Sequence, residues 1–396
     1  MGNWKTCTIA DLGTVVGGAT PSTKKSENYD GGTIAWITPK DLAEFSGRFI
    51  SHGKRNITQT GLNSCSAQMM PKHTVLFSSR APIGYVAIAE NDVCTNQGFK
   101  SVVPNENTDY MFLYYLLLNN RQNIEHMGSG TTFKEVSGKT MRSIQVRVPE
   151  SKEEQIRISS MLSVIDDKIE ENERINKNLE AQAQAYFIDQ FVVNADPTWP
   201  QGTLSDLGIV VGGGTPSKKH PEYYSEHGIP WITPKDLSAD KSKFISHGEN
   251  DISDLGFSNS SATKMPEGTI LFSSRAPIGY IAIASNAVTT NQGFKSVIPN
   301  TNVGTAFMYF FLKQVLPTIE GMASGSTFKE ISGSGMKSVP AVIPDNETLR
   351  MFSEFCKPLF EQQAMLEAEN RRLSGIRDAL LPKLMSGEID VSSLDL

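Results

Sequence analysis

Apolar and polar positions alternate in short bursts over most of this chain, and only two stretches show a long helical period. Thr74-Val75-Leu76-Phe77 and Tyr85-Val86-Ala87-Ile88-Ala89 are strand-like runs around a turn holding Arg80, Pro82 and Gly84. Asp109 to Asn120 is apolar over a helical length, and Gly128 to Lys134 reads as a flexible polar loop mirrored at Ser324 to Lys329. These phrases recur at one fixed distance. Trp36 to Leu42 returns as Trp231 to Leu237, Leu76 to Tyr85 as Leu271 to Tyr280, and Thr95 to Val102 as Thr290 to Val297, each 195 residues on (231 − 36). Between Leu76 and Val102, 23 of 27 positions equal their mates. A constant offset over that span means a duplicated domain, since solenoid units run only about 20–50 residues. The pattern predicts an α/β (α+β) fold with two copies of one many-stranded domain, at 1–150 and 196–345.

The helical stretches follow each copy, at 151–195 and 346–396. Ser151-Lys152-Glu153-Glu154 is a capping box opening a run without Gly or Pro as far as Asp196. Its seam is Ile158, Leu162, Ile165, Ile169, Asn172, Asn176, Leu179, Ala183 and Tyr186, in steps of four and three, as in a coiled coil. The second run has Phe352, Leu359, Leu366, Leu373 and Leu380 at steps of seven, and Pro358 should kink or restart it. Gln363 and Asn370 fall on this seam much as Ile169 and Asn176 do on the first, and polar seam residues fix register at a cost in stability. The expectation is that the two helices pair as a spacer; the plainer alternative is that each packs only on its own domain.

Composition excludes more than it assigns. A chain of 396 residues has room for two or three domains, with ordinary charged and apolar fractions. No apolar run approaches a membrane span of roughly 20 residues, and the start lacks a signal-peptide core. Met1-Gly2 with Thr6 formally fits a lipidation pattern, but Trp4 recurs as Trp199, which marks folded domain. Cys7, Cys65 and Cys94 face Gly202, Ser260 and Thr289, so no disulfide or metal site was duplicated with the domain. His52 and His247 do match, each without a second ligand at metal spacing. A reducing, cytoplasmic location and no metal are expected.

Catalytic signatures are missing. Gly17 to Ser22 and Gly212 to Ser217 are glycine-rich without being phosphate or dinucleotide loops, and structural turns explain them as well as anion binding does. Neither a nucleophile elbow nor a zinc-protease motif occurs, and there is no Pro-Pro pair to serve an amino-methylating DNA methyltransferase. What repeats is a set of hydrogen-bonding loop residues. In the first copy these are Thr20, Ser22, Lys40, Ser78, Ser79, Arg80, Asn96, Gln97, Lys100, Thr132 and Lys134. Their mates are Thr215, Ser217, Lys235, Ser273, Ser274, Arg275, Asn291, Gln292, Lys295, Thr327 and Lys329. Arginine reads guanine edges, Asn and Gln read adenine, and Ser, Thr and Lys hold phosphates. Each alone reads equally well as a turn or a buried hydrogen bond, Asn96-Gln97-Gly98 above all; their concentration in duplicated loops tilts toward nucleic acid. Charge argues the other way. Copy one carries 15 basic against 12 acidic residues (+3), and copy two 11 against 13 (−2). A chain binding DNA unaided usually shows a basic surface, so either DNA is not the target or a basic partner contributes.

The whole chain resembles the specificity subunits of type I restriction–modification systems. The carriers are Gly-Gly-x-Thr-Pro-Ser at 17–22 and 212–217, Trp-Ile-Thr-Pro-Lys-Asp-Leu, Ser-Ser-Arg-Ala-Pro-Ile-Gly and Asn-Gln-Gly-Phe-Lys. Thr-Phe-Lys-Glu-Val/Ile-Ser-Gly at 132–138 and 327–333 and Leu380 to Ile389 complete the set. One departure is Thr348-Leu349 where the first copy has Glu154-Gln155. The resemblance implies two target-recognition domains, each reading half of a bipartite site in double-stranded DNA, on helices pairing as an antiparallel coiled coil. It further implies that these helices bind two methyltransferase subunits, joined by motor–nuclease subunits. S-adenosylmethionine and ATP then belong to the partners and no catalytic residue to this chain. The copies diverge at 54–70 against 249–265, so near-identical half-sites differing at one or two bases are expected. A protein-interaction scaffold and an enzyme with an unrecognised site are the alternatives.

Overall fold

The computed structural model describes residues 3–130, 134–325 and 329–391. Two compact units are present, Met1–Glu171 with Arg371–Leu396, and Asn172–Asn370. In unit one the strands are β1 (Trp4–Thr8), β2 (Gly13–Gly17), β3 (Ile34–Ile37), β4 (Phe49–Ile50), β5 (Arg55–Ile57), β6 (Val75–Ser79), β7 (Ile83–Ala89), β8 (Cys94–Thr95), β9 (Lys100–Pro104) and β10 (Gln145–Pro149). They form a five-stranded sheet in the order β2-β9-β6-β7-β4, a three-stranded sheet β5-β3-β8, and the pair β1-β10. Unit two repeats the five-stranded order with Gly208–Gly212, Lys295–Pro299, Ile270–Ser274, Ile278–Ala284 and Phe244–Ile245.

The continuous apolar run of β6 has a direct cause. Val75 and Phe77 face a core with Phe112, Leu116, Ile158 and Leu384, while Leu76 faces another with Ile37, Leu42 and Phe99. A sheet covered on both faces loses the alternation of a half-exposed one. The helix Tyr110–Asn119 sits inside the first core and is apolar nearly all round for the same reason.

The two long helices are Lys152–Ile188 and Asn346–Ser386. Within unit two they run antiparallel: Asn172 Nδ2 donates to Asn370 Oδ1 (2.8 Å) and Glu369 Oε2 (2.9 Å), Gln363 Nε2 donates to the Asn176 carbonyl (3.1 Å), and Tyr186 stacks edge-on against Phe355. Within unit one Arg377 donates to the buried Asp166 at 2.8 Å, and Tyr115 donates to the same carboxylate at 2.6 Å. The helices also pack on their domains, so both modes expected from the seam coexist. Pro358 does not restart the second helix, which runs unbroken through it. Phe352, Cys356 and Phe360 around it are buried in the core of unit two, and that packing outweighs the roughly 3 kcal/mol of an interior proline. The altered helix start is also accounted for: Asp345 accepts from the Glu347 and Thr348 amides (both 2.9 Å) and from the Thr348 hydroxyl.

One buried cation per unit ties domain to helix. Arg48, with its side chain 5% exposed, forks onto Glu170 at 2.8 and 3.0 Å and also pairs with Asp167. Burial alone would lower its pKa, but the two carboxylates raise it above the ordinary arginine value. Its mate at the 195 offset is Lys243, which reaches Glu180 (2.7 Å) and Gln363 (2.9 Å), while its amide donates to Glu367 (2.9 Å). Here burial prevails over the attraction of Glu180 and pulls the lysine from 10.5 to about 8. Between those values the unfolded chain binds more protons than the folded one, so stability from this group rises as pH climbs. Unfolding of unit two should therefore show wild type gaining up to about 3 kcal/mol on Lys243→Met between pH 8 and 10.5; a pH-independent difference would contradict this placement.

Candidate nucleic-acid interface

Close backbone approach builds the exposed polar face. A Cβ on Gly18 would strike the Asn96 and Thr95 carbonyl oxygens, and one on Gly213 those of Asn291 and Thr290. The second glycine of each Gly-Gly pair thus lets the loop lie against the Asn-Gln-Gly turn, which settles its role in favour of packing. Ala19 N donates to the Thr95 carbonyl at 3.0 Å and Gly214 N to that of Thr290 at 2.9 Å. From the Trp-Ile-Thr-Pro motif, Trp36 Nε1 donates to the Ala19 carbonyl (3.1 Å) and Trp231 Nε1 to that of Gly214 (2.9 Å). So held, Thr20 donates its hydroxyl hydrogen bond to Gln97 Oε1.

The same motif lifts a lysine beside this turn. Thr38 and Asp41 form a capping box at the helix Pro39–Ala43, and Asp41 Oδ1 also accepts from Lys54 N at 2.9 Å. Lys40 stands exposed on that helix. Thr233, Asp236 and the Glu249 amide repeat the arrangement around Lys235, which pairs with Glu249 at 2.6 Å. In unit two the outcome is a cleft of about 720 Å³ whose lining includes Thr215, Lys235, Asn291 and Gln292.

The Ser-Ser-Arg loop divides its labour. Ser78 Oγ donates to the Pro82 carbonyl (2.9 Å) and accepts from Tyr85 N (2.7 Å), while Ser79 Oγ donates to the Gly98 carbonyl (3.2 Å). Ser273 and Ser274 repeat these bonds with Pro277, Tyr280 and Gly293. All four serines are fully buried, and Asn96 and Asn291 accept from the Gly98 and Gly293 amides at 2.9 and 2.8 Å. The four serines use their hydroxyls inside the loops, and the two asparagines use their Oδ1 atoms there. Arg80 and Lys100 converge on Glu135 at 3.6 and 3.2 Å, as Arg275 and Lys295 do on Glu330 at 3.3 and 3.7 Å. The glutamates were not foreseen, although each stands in a repeated motif two residues after a Phe. Arg80 and Arg275 keep about a third of their side-chain surface exposed, at 35% and 37%, and among the described residues each pairs with one carboxylate for its five N–H donors. Gln97, Gln292, Ser22, Ser217, Lys134 and Lys329 are exposed. Thr132 and Thr327 lie outside the described residues, as do Met1 and Gly2 of the formal lipidation pattern.

Among the described residues no cluster of three or more His, Cys, Asp or Glu could hold a metal, and no helix is long and apolar enough to cross a membrane. Among the described residues His52 and His247 bond locally, to Ser51 Oγ (2.9 Å) and the Gly248 carbonyl (3.0 Å).

The sequence profile of the type I restriction modification DNA specificity domain matches residues 1–181 and again 197–372. The chain belongs to that family. It is 34% identical over 99% of its length, and 95% of the relative's, to the Type I restriction enzyme MjaIX specificity subunit of Methanocaldococcus jannaschii. It is 27% identical to the Type I restriction enzyme HindI specificity subunit of Haemophilus influenzae, covering 98% of this chain and all of that one. The crystal structure of a type I S subunit from M. genitalium shares the fold, with a TM-score of 0.61 at 18% identity over 97% and 96% of the two chains. A specificity subunit recognises DNA sequence and is not the catalytic subunit of its system. The polar faces, and not a reaction centre, are therefore where its function is to be sought.

Gly18→Ala should cost about 2 kcal/mol through overpacking and lower the melting temperature by several degrees. Gly17→Ala, where a Cβ meets nothing within 4 Å, should leave stability within experimental error or raise it slightly. Equal effects in thermal melts would show that the close approach is not what places the loop.

Proposed function

We propose that the two polar faces each read one half of a bipartite site in double-stranded DNA. The observation that carries this is the identity of the two faces: the same Thr–Gln, Lys, Arg and Lys groups, mounted on the same backbone contacts, in two separate units. A structural role alone would need the buried serines and asparagines to repeat, but not the exposed Lys40, Gln97 and Lys134 with Lys235, Gln292 and Lys329. In this reading Arg80 and Arg275 contact guanine, Gln97 and Gln292 contact base edges, the lysines with Ser22, Thr215 and Ser217 hold phosphates, and Thr20, whose hydroxyl donates to Gln97, orients that reader. Thr132 and Thr327 share the phosphate assignment. Ser78, Ser79, Asn96 and their mates fix the loops that present the readers.

The helix pair serves as the spacer between half-sites and docks two methyltransferase subunits, with motor–nuclease subunits completing the restriction complex in the cytoplasm. A helix of 37 residues is about 55 Å long, more than one turn of duplex at roughly 34 Å. S-adenosylmethionine and ATP are used by the partners. Weak basicity fits this division, because partner subunits enclosing the duplex neutralise phosphates that this chain does not.

Binding of the assembled complex to duplex DNA should weaken steeply with salt, in proportion to the phosphates contacted. Arg80→Ala should lower discrimination at one half-site by about 1–3 kcal/mol, and Arg275→Ala at the other. Neither should move the melting temperature much, because each ion pair is half-exposed. Salt-insensitive binding, or a melting drop with base preference intact, would favour the protein-scaffold reading and a structural arginine.

A further inference from the structure

The two copies diverge at several places around the polar face, among them Lys218 for Thr23, and at one of these the backbone frame is the same while the side-chain chemistry changes. Strand β5 pairs with β3 so that Arg55 faces Trp36, and in unit two Asn250 faces Trp231 at the same register. Both residues are exposed, so the difference is not one of core packing. The Arg55 guanidinium lies over the Tyr29 ring, 3.5 Å from its centroid, and Tyr29 is only 5% exposed. Arg55 makes no ion pair with a carboxylate among the described residues. Tyr29 is itself fixed, its hydroxyl donating to the Pro21 carbonyl at 2.7 Å in the loop that carries Thr20. The arginine is therefore a planar fork set in place by stacking, which reduces the rotamer freedom it would lose on binding.

Unit two presents a different chemistry on the same frame. Asn250 lines the 720 Å³ cleft together with Tyr224, Trp231 and Gln292, so the tyrosine that matches Tyr29 opens onto the cleft where no guanidinium covers it. Tyr224 keeps the same anchor, donating to the Pro216 carbonyl at 2.8 Å. The neighbouring position changes sign as well: Lys54 in copy one, paired outward with Glu44 at 2.6 Å, becomes Glu249, paired with Lys235. The two positions together carry +2 in copy one (Lys54, Arg55) and −1 in copy two (Glu249, Asn250).

We infer that Arg55 and Asn250 read different bases at one equivalent position of the two half-sites, guanine by Arg55 and adenine by Asn250. Two guanidinium donors match the O6 and N7 acceptors of guanine, and a carboxamide's donor and acceptor match N6 and N7 of adenine. The inference rests on the half-site reading proposed above and adds the residue that tells the halves apart.

The test is a single-molecule methylome of the native host carrying the wild-type gene, Arg55→Asn or Asn250→Arg in place. With the wild type, two inverted half-sites that differ by guanine against adenine at one position support the inference. Arg55→Asn should shift the guanine of the first half-site toward adenine by roughly tenfold or more, the discrimination of a bidentate base contact. Asn250→Arg, which adds a side chain at an exposed position and removes nothing from the core, should shift the second half-site toward guanine. If Arg55→Asn lowers methylation while sequence preference stays as it was, and Asn250→Arg leaves the second half-site unchanged, these residues touch phosphate or nothing and the inference falls. Wild-type half-sites identical at every base overturn it too, with the half-site reading intact. A host in which the gene governs no two-part motif overturns that reading itself.

Discussion

A buried cation joins each sheet domain to its helices, and the position of everything above it follows from that contact. Arg48 and Lys243 occupy one site in the repeat, at the edge strands Phe49–Ile50 and Phe244–Ile245. Removing Arg48 would take from Glu170 the guanidinium that forks onto it, which is the expensive way to break a buried pair, whereas Glu180 would keep Lys313 at 2.6 Å if Lys243 were lost. The helix groups they use differ: Glu170 and Asp167 of the first helix for Arg48, Glu180 of the first with Gln363 and Glu367 of the second for Lys243. Glu180 stays below the usual carboxylate range, because Lys243 and Lys313 outweigh the burial that would raise it. The tyrosines beneath follow suit: Tyr115 on Asp166 and Tyr309 on Glu180 are both pushed up, chiefly by burial and then by those carboxylates.

On that base the loops gain their shape from backbone, not from long side chains. The glycine-rich loop lies on the Asn-Gln-Gly turn because Gly18 and Gly213 have no Cβ, the tryptophan indoles pin it, and the paired serines close the arginine loop. Few long side chains are ordered to build this frame, and the exposed polar groups sit on rigid supports. Ser78 Oγ, fully buried and bonded on both sides, is as much a part of this frame as the strands. The frame is common to the two units, and the differences on its exposed rim include Lys54-Arg55 against Glu249-Asn250.

Much of this was legible in the sequence, for identifiable reasons. The constant offset exposes a duplication whatever the fold, and a heptad seam with Asn172 and Gln363 on it announces helices that meet. Strands around Arg80 were readable because Pro82 and Gly84 punctuate the turn. Other features depend on contacts that composition cannot show. Arg48 and Glu170 lie more than a hundred residues apart, and nothing local distinguishes Arg48 from Arg80. The serines, taken as candidate DNA contacts, have the right chemistry for phosphate, but only burial reveals that their hydroxyls are already used. Glu135 stands in the repeated Thr-Phe-Lys-Glu motif, but only its distances to Arg80 and Lys100 show that it holds those cations in place. Pro358 does not end its helix because propensity describes an isolated helix and here the packing decides.

The account's central claim is that one reading face has been used twice. Its most direct test is to compare the methylomes of the native host with the gene intact and with it deleted. One motif should disappear on deletion, made of two inverted half-sites that agree except where the rims differ, around a gap of unspecified bases. Two half-sites with nothing in common, or no motif lost at all, would contradict it.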